Sequence, residues 1–177
     1  MVTLSGMDGY EVTAAQVDDV VEFINAWSPA ALEAAGTEAV DVEEARAQTR
    51  LTAVGDADLE QLADELHQVF HARSPGERRA ALDGLIDSFS LRPTVDAGGQ
   101  GWLVANQSKV SAAGLVVALW NQVGGDPDLG RLGTCGGDRC IDAFHDSTQA
   151  HTRRFCSLTC QNRAKVSAYR QRQRTSG

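Results

Sequence analysis

Cys135-Gly-Gly-Asp-Arg-Cys140 and Cys156-Ser-Leu-Thr-Cys160 hold every cysteine of this chain, in the spacing C-x4-C-x15-C-x3-C. Two close thiol pairs parted by a loop of this length read as a four-thiolate zinc site. Four unliganded thiols, or a site in which His145 or His151 replaces one thiolate, are the alternatives to that reading. Four sulfur ligands fill the tetrahedral shell of Zn²⁺ and leave no position for a reacting water, so one structural zinc is expected and a catalytic one is not. The segment is short and poor in apolar residues, so its folding should depend on the metal.

Working outward, the loop between the pairs is long enough for a hairpin. Its expected strands are Ile141 to Asp146 and Thr152 to Phe155, with Ser147 to His151 as the turn. Ser157 suits a helix cap, which places Cys156 and Cys160 across the first helical turn, where backbone N–H groups stabilise thiolate charge. Knuckle, hairpin and helix in this order make a treble-clef-like finger. Four thiolates on Zn²⁺ leave a formal charge of −2, which Arg139, Arg153 and Arg154 can offset.

The charge of −8 is unevenly spread. Residues 1–130 carry 21 acidic and 7 basic side chains, a net −14, whereas residues 131–177 carry 3 and 9, a net +6. No acidic residue follows Asp146. A basic module on an acidic body points to an anionic partner, with nucleic acid first. The helix after Cys160 supplies Arg163, Lys165, Arg170, Arg172 and Arg174, and Asn162 and the glutamines can bond bases or phosphates. Arg163, Arg170 and Arg174 share one helical face, with Lys165 and Arg172 opposite. The expected nucleic-acid contacts are these six residues together with Arg153 and Arg154.

Upstream, 42% hydrophobic and 23% charged residues describe an ordinary globular chain and exclude disorder throughout. No apolar run is long enough for a membrane helix. The first ten residues have neither a basic nor an apolar region of a secretory signal, so a cytoplasmic protein is expected, nucleoid-associated if its partner is DNA. Helices are expected from Thr13 to Trp27, Val40 to Arg50, Asp58 to His71, from a Ser74-Pro75-Gly76-Glu77 start through Phe89, and from Ser108 to Val123. Thr13 with Gln16 suits a capping box, and Ser28-Pro29 a helix stop. Thr94-Val95 and Trp102-Leu103-Val104 flank Gly98 to Gly101 as a β-hairpin. The expected fold is mainly α: a helical domain with a small hairpin over residues 1–124, a linker at 125–130, and the zinc finger at 131–177.

These residues also carry a family resemblance. Cys135 and Cys140, then Phe144, Asp146 and Ser147, then Arg153-Arg154-Phe155-Cys156, then Cys160-Gln161-Asn162-Arg163-Ala164-Lys165 resemble the CGNR zinc finger, with Gln161 where that family has its namesake glycine. Val21-Glu22-Phe23-Ile24-Asn25 and Gly101-Trp102-Leu103 resemble the ABATE domain that commonly precedes this finger. The resemblance implies a stress-related bacterial transcription regulator that binds DNA. A homodimer and a small-molecule effector in the helical domain are further expectations. An interaction adaptor, or an RNA binder without sequence-specific DNA recognition, is the alternative.

No catalytic residues are expected. Glu60, Asp64, His67 and His71 form a stripe on one helix, read either as a metal site or as a solvated face; the Glu of a zinc-protease motif is missing. His145-Asp146-Ser147 has hydrolase residue types, but sequence neighbours rarely assemble a triad. Gly98 to Gly101 lack the Gly-Lys-Ser/Thr ending of a phosphate loop. Trp27, Trp102 and Trp120 read as core.

Overall fold

The computed structural model describes residues 9–36, 42–49, 51, 54–96, 99–125 and 131–175. The first helix, α1 (Val17–Trp27), starts four residues later than the sequence pattern suggests. Tyr10–Val12 is strand β1, and Ala15 donates its N–H to Gly114 O at 3.0 Å, so residues 13–16 stay outside the helix. Gln16 is the cap residue instead of Thr13, and the Asp19 carboxylate accepts its N–H at 3.0 Å. A Cβ on Gly114 would lie 2.7 Å from Thr13 O, so only glycine permits this approach.

Ser28-Pro29 ends α1 and also starts α2 (Pro29–Ala35), because the Ser28 hydroxyl accepts from Ala31 N–H and proline suits the first helical position. Helix α3 is Val42–Thr49; the expected ends at Val40 and Arg50 lie outside the described residues. Helix α4 (Asp56–His71) begins after Gly55, two residues before the expected Asp58. Helix α5 (Pro75–Phe89) begins where its signals place it, with Ser74 Oγ accepting from Glu77 N–H at 3.2 Å.

The expected hairpin is β2 (Arg92–Asp96) and β3 (Gly99–Val104), and β1 adds a third antiparallel strand in the order β1-β3-β2. Val12, Trp102 and Pro93 lie abreast across it. Asn106 caps a 3-10 turn containing Ser108 before α6 (Val110–Gly125), so Ser108 is not the helix cap. Every residue from Ala112 to Leu119 is buried, as expected of a helix that is apolar all round. The core also takes Phe23, Ile24 and Trp27 from α1, Leu59, Leu66 and Phe70 from α4, and Leu82 from α5.

The C-terminal region holds β4 (Leu132–Thr134), β5 (Ala143–His145) and α7 (Leu158–Thr175). The expected hairpin is not formed: β5 pairs with β4, and residues 152–155 form no strand. The Asp146 carboxylate gathers the intervening loop, replacing the ladder bonds a second strand would supply.

The small sheet is docked on the body. Leu132 and Ala143 belong to the body's core. Asn25 on α1 donates to Ala143 O at 3.1 Å and accepts from Ala143 N–H at 2.9 Å. From α4, His67 Nε2 donates to Ile141 O at 2.7 Å, and from α5 the buried Arg78 donates to Leu132 O at 3.1 Å. Among the described residues, no helix is long and apolar enough to cross a membrane.

Candidate metal centre and nucleic-acid interface

The turn between β4 and β5 carries Cys135 and Cys140, and the entry to α7 carries Cys156 and Cys160. Short backbone bonds fix the turn: Cys135 N–H to Asp142 O at 2.9 Å, and Gly136 N–H to Arg154 O at 2.9 Å. Ser157 caps α7 as expected, accepting from Cys160 N–H at 3.2 Å. All four sulfurs lie within 4.8 Å of one another. Cys156 Sγ stands 3.6 Å from both Cys140 Sγ and Cys160 Sγ. Zinc–sulfur bonds of about 2.3 Å in a tetrahedron require sulfur–sulfur edges of about 3.8 Å, so the donor set fits the ion. No histidine replaces a thiolate: His145 faces Asp18 at 3.3 Å, and the described cluster contains cysteines alone.

Without a cation, burial disfavours charge on two of these sulfurs. Burial pushes the Cys140 thiol far above its ordinary range, and burial likewise raises Cys156 to about 12. Burial also opposes the Cys160 thiolate, but hydrogen bonds from Ser157 and the neighbouring cysteines outweigh it and lower its pKa. Four thiolates within 4.8 Å of one another repel, and a dication between them offsets that repulsion. The residues hold one structural zinc ion, with no open ligand position.

Asp146 organises the loop between the cysteine pairs. It is fully buried and accepts from Thr148 N–H, the Thr148 hydroxyl and Arg153 N–H, at 2.9, 2.6 and 2.9 Å. The Thr148 hydroxyl, then the Arg153 N–H, hold its carboxyl down at about 2. The anchor is at full strength above about pH 4 and is lost as the pH falls through 2. Asp146→Asn removes one acceptor from this set and is expected to speed zinc transfer to a coloured chelator at neutral pH. An unchanged transfer rate would show that the loop holds without it.

Arg153 is spent on structure. Its guanidinium donates to Phe155 O, His145 O and Cys156 O and lies 5.1 Å over the Phe144 ring. The sequence shows two adjacent arginines and does not show that one collects three carbonyls. Arg154, Asn162, Arg163, Lys165, Arg170, Arg172 and Arg174 are exposed. Helix α7 buries only Cys160 and leaves Leu158, Val166 and Tyr169 open to solvent.

Between α7 and residues 137–140 runs a groove of about 770 Å³, lined by Arg139, Asn162, Arg163, Arg170 and Arg174 among others. The Ser167 hydroxyl donates to Asp138 at 3.4 Å across it. Arg139, Arg170 and Arg174 have no hydrogen-bond or ion-pair partner among the described residues. Sequence reasoning gave Arg139 only to the zinc charge; its place on the groove depends on how the turn folds.

The other sequence candidates separate. Glu60 pairs with Arg46 at 3.0 Å and Asp64 accepts from Ser28. His67 is only 2% exposed, so it is not on a solvated face. His71 lies 3.5 Å from the Thr134 hydroxyl. These four residues form no metal cluster among the described residues. In His145-Asp146-Ser147, Asp146 is occupied by the loop. Gly98 lies outside the described residues. Trp27 is fully buried, while Trp102 and Trp120 are partly exposed and pack edge to face at 5.5 Å. The docking residues Asn25, His67 and Arg78 were missed as such. Their one signal is a polar side chain beside an apolar helical stripe.

A comparison of the chain with curated proteins finds no match. Residues 131–173, which contain β4, β5, all four thiolates and nearly the whole of α7, match the family model of the CGNR zinc finger.

Proposed function

We propose that the protein is a DNA-binding transcription regulator that performs no catalysis. Its finger, treble-clef-like with the cysteine knuckle between β4 and β5 and then the helix, contacts DNA through α7. The helical body, similar to an ABATE domain, serves dimerisation or effector sensing. The observation that carries this reading is α7 itself: an 18-residue helix with one buried side chain and five cations. An isolated helix of this length is marginal in water, and its last turns gain a partner only when something docks on them. The guanidiniums of Arg139, Arg170 and Arg174, which have no partner among the described residues, converge on one groove and favour phosphate.

Arg154, Asn162, Arg163, Lys165, Arg170, Arg172 and Arg174, joined by Arg139, form the contact set; Arg153 shapes the loop behind them. A cleft of about 670 Å³ lined by Trp102, Trp120, Pro93 and Val117 is the effector site to examine in the body. This reading places the protein in the cytoplasm, on the nucleoid.

The exposed Leu158, Val166 and Tyr169 favour one competing reading, a protein-binding adaptor. Salt dependence separates the two. Binding of the zinc-loaded chain to duplex DNA should weaken with a log–log slope of about −0.9 for each phosphate neutralised. The triple variant Arg163→Ala, Arg170→Ala, Arg174→Ala should flatten that slope. Absence of duplex binding at low salt would leave the adaptor, and preference for RNA of the same sequence would leave the RNA binder.

A further inference from the structure

Helix α7 sorts its side chains by direction. With a turn of 100° per residue, Ala164, Ser167 and Gln171 fall within about 40° of Cys160, the buried zinc ligand. This is the face toward the metal. Ala164 and Ser167 are half-buried, and the Ser167 hydroxyl reaches Asp138 beside the metal turn. The opposite direction is that of Tyr169. Asn162, Gln173 and Val166 lie about 20°, 40° and 60° from it on one side, where Asn162 and Val166 also form the outer rim of the groove; Leu158 lies about 20° away on the other side, followed by Lys165 and Arg172 at about 40° and 60°. All of these are exposed, Tyr169 by 59% and Val166 by 48%.

The cations occupy the two sides of this stripe. Arg163, Arg170 and Arg174 lie to one side, continued across the groove by Arg139. Lys165 and Arg172 lie to the other. A helix seated in a DNA major groove meets base edges beneath it and a phosphate chain on either side. The groove is about 12 Å wide and admits a helix. The order zinc face, cations, amides with apolar groups, cations matches those surroundings around the whole circumference.

We infer that Asn162, Val166, Tyr169 and Gln173 are the sequence-reading residues, set on the floor of the major groove, while the cations on the two flanks of α7 hold the two phosphate walls. The inference rests on the DNA-binding reading and adds which residues specify the site. Asn and Gln amides pair with adenine N6 and N7, and an aliphatic side chain packs on the thymine methyl, so the recognised step is rich in A·T pairs. Asn162 and Gln173 stand about 16 Å apart along the axis, which spans about five base pairs.

The test is selection from randomised duplexes by the full-length, zinc-loaded protein, followed by affinity measurements at several salt concentrations. Wild type should select an A·T-containing core of about five pairs. Asn162→Ala and Gln173→Ala should each erase preference at one end of it, by about 5- to 150-fold, and leave the salt slope unchanged. Lys165→Ala or Arg139→Ala should instead weaken every sequence alike and reduce the slope by about 0.9. Because these side chains are exposed, each variant should retain one zinc, measured on the same samples. A preference that survives the double variant Asn162→Ala, Gln173→Ala overturns the inference and leaves DNA binding standing. So does a wild type that binds duplexes without preference. A wild type that binds no duplex removes both.

Discussion

Withdrawing zinc, or replacing Cys160 with serine, is expected to unfold residues 131–175 and also to lower the melting temperature of the helical body. Structural zinc contributes about 10–16 kcal/mol to the folding of a small finger at neutral pH, so the metal-free finger has no other means of closing. The body then loses what the finger lends it. Leu132, 4% exposed, and Ala143, 1% exposed, leave the common core. A leucine taken out of a core costs about 1.5–3 kcal/mol. Asn25, His67 and Arg78 lose partners on Ala143, Ile141 and Leu132, at about 0.5–1.5 kcal/mol for each hydrogen bond. Together these come to about 3–7 kcal/mol, of which water reaching the freed groups returns a part. At about 4 °C for each kcal/mol, the helical circular-dichroism signal should melt at least about 10 °C lower with chelator present. Identical melting curves with and without chelator would show that the body stands alone and that the docking contributes nothing.

The same interface shows where sequence reading reaches its limit. Signals confined to one turn were legible: Ser74 with Pro75 at the start of α5, Ser157 at the start of α7, and the four cysteines that set one sulfur cluster. Leu115 to Leu119 in α6 are apolar without interruption, so their burial follows from composition alone. Strand pairing was not. Leu132-Gly-Thr134 is too short to show alternation, and nothing local favours it over residues 152–155 as the partner of β5. What decides is distant: Asn25 and His67 hold the backbone at residues 141 and 143 from helices more than 70 residues away in sequence. β1 failed for a related reason. Its Val12 suits a hydrophobic staple on α1 as well as a strand edge, and pairing with Val104 and Trp102 wins. At the candidate interface, the sequence gives the residue types on α7. It does not show that Arg153 turns inward to three carbonyls while Arg139 faces the groove.

Asn25→Ala should produce a large loss of stability for one polar side chain. The Asn25 amide imitates a neighbouring strand: its oxygen takes the Ala143 N–H and its nitrogen serves the Ala143 carbonyl. Ala143 is 1% exposed, so water cannot replace either bond without prying β5 from α1. Each buried group left unpaired costs about 1–3 kcal/mol, and opening a path for water costs buried apolar contact instead, so a total of about 2–4 kcal/mol is expected in denaturant titration. Asn25→Asp should do no better. The carboxylate still accepts the N–H, but it faces the Ala143 carbonyl with no proton to donate and is itself half-buried. Zinc content is the control that locates the loss. The four thiolates do not touch Asn25, so both variants should keep one zinc while their unfolding midpoint falls. A variant that lost zinc and stability together would place Asn25 in the support of the metal site. One that lost less than about 0.5 kcal/mol would mean that β5 does not rest on α1 in solution.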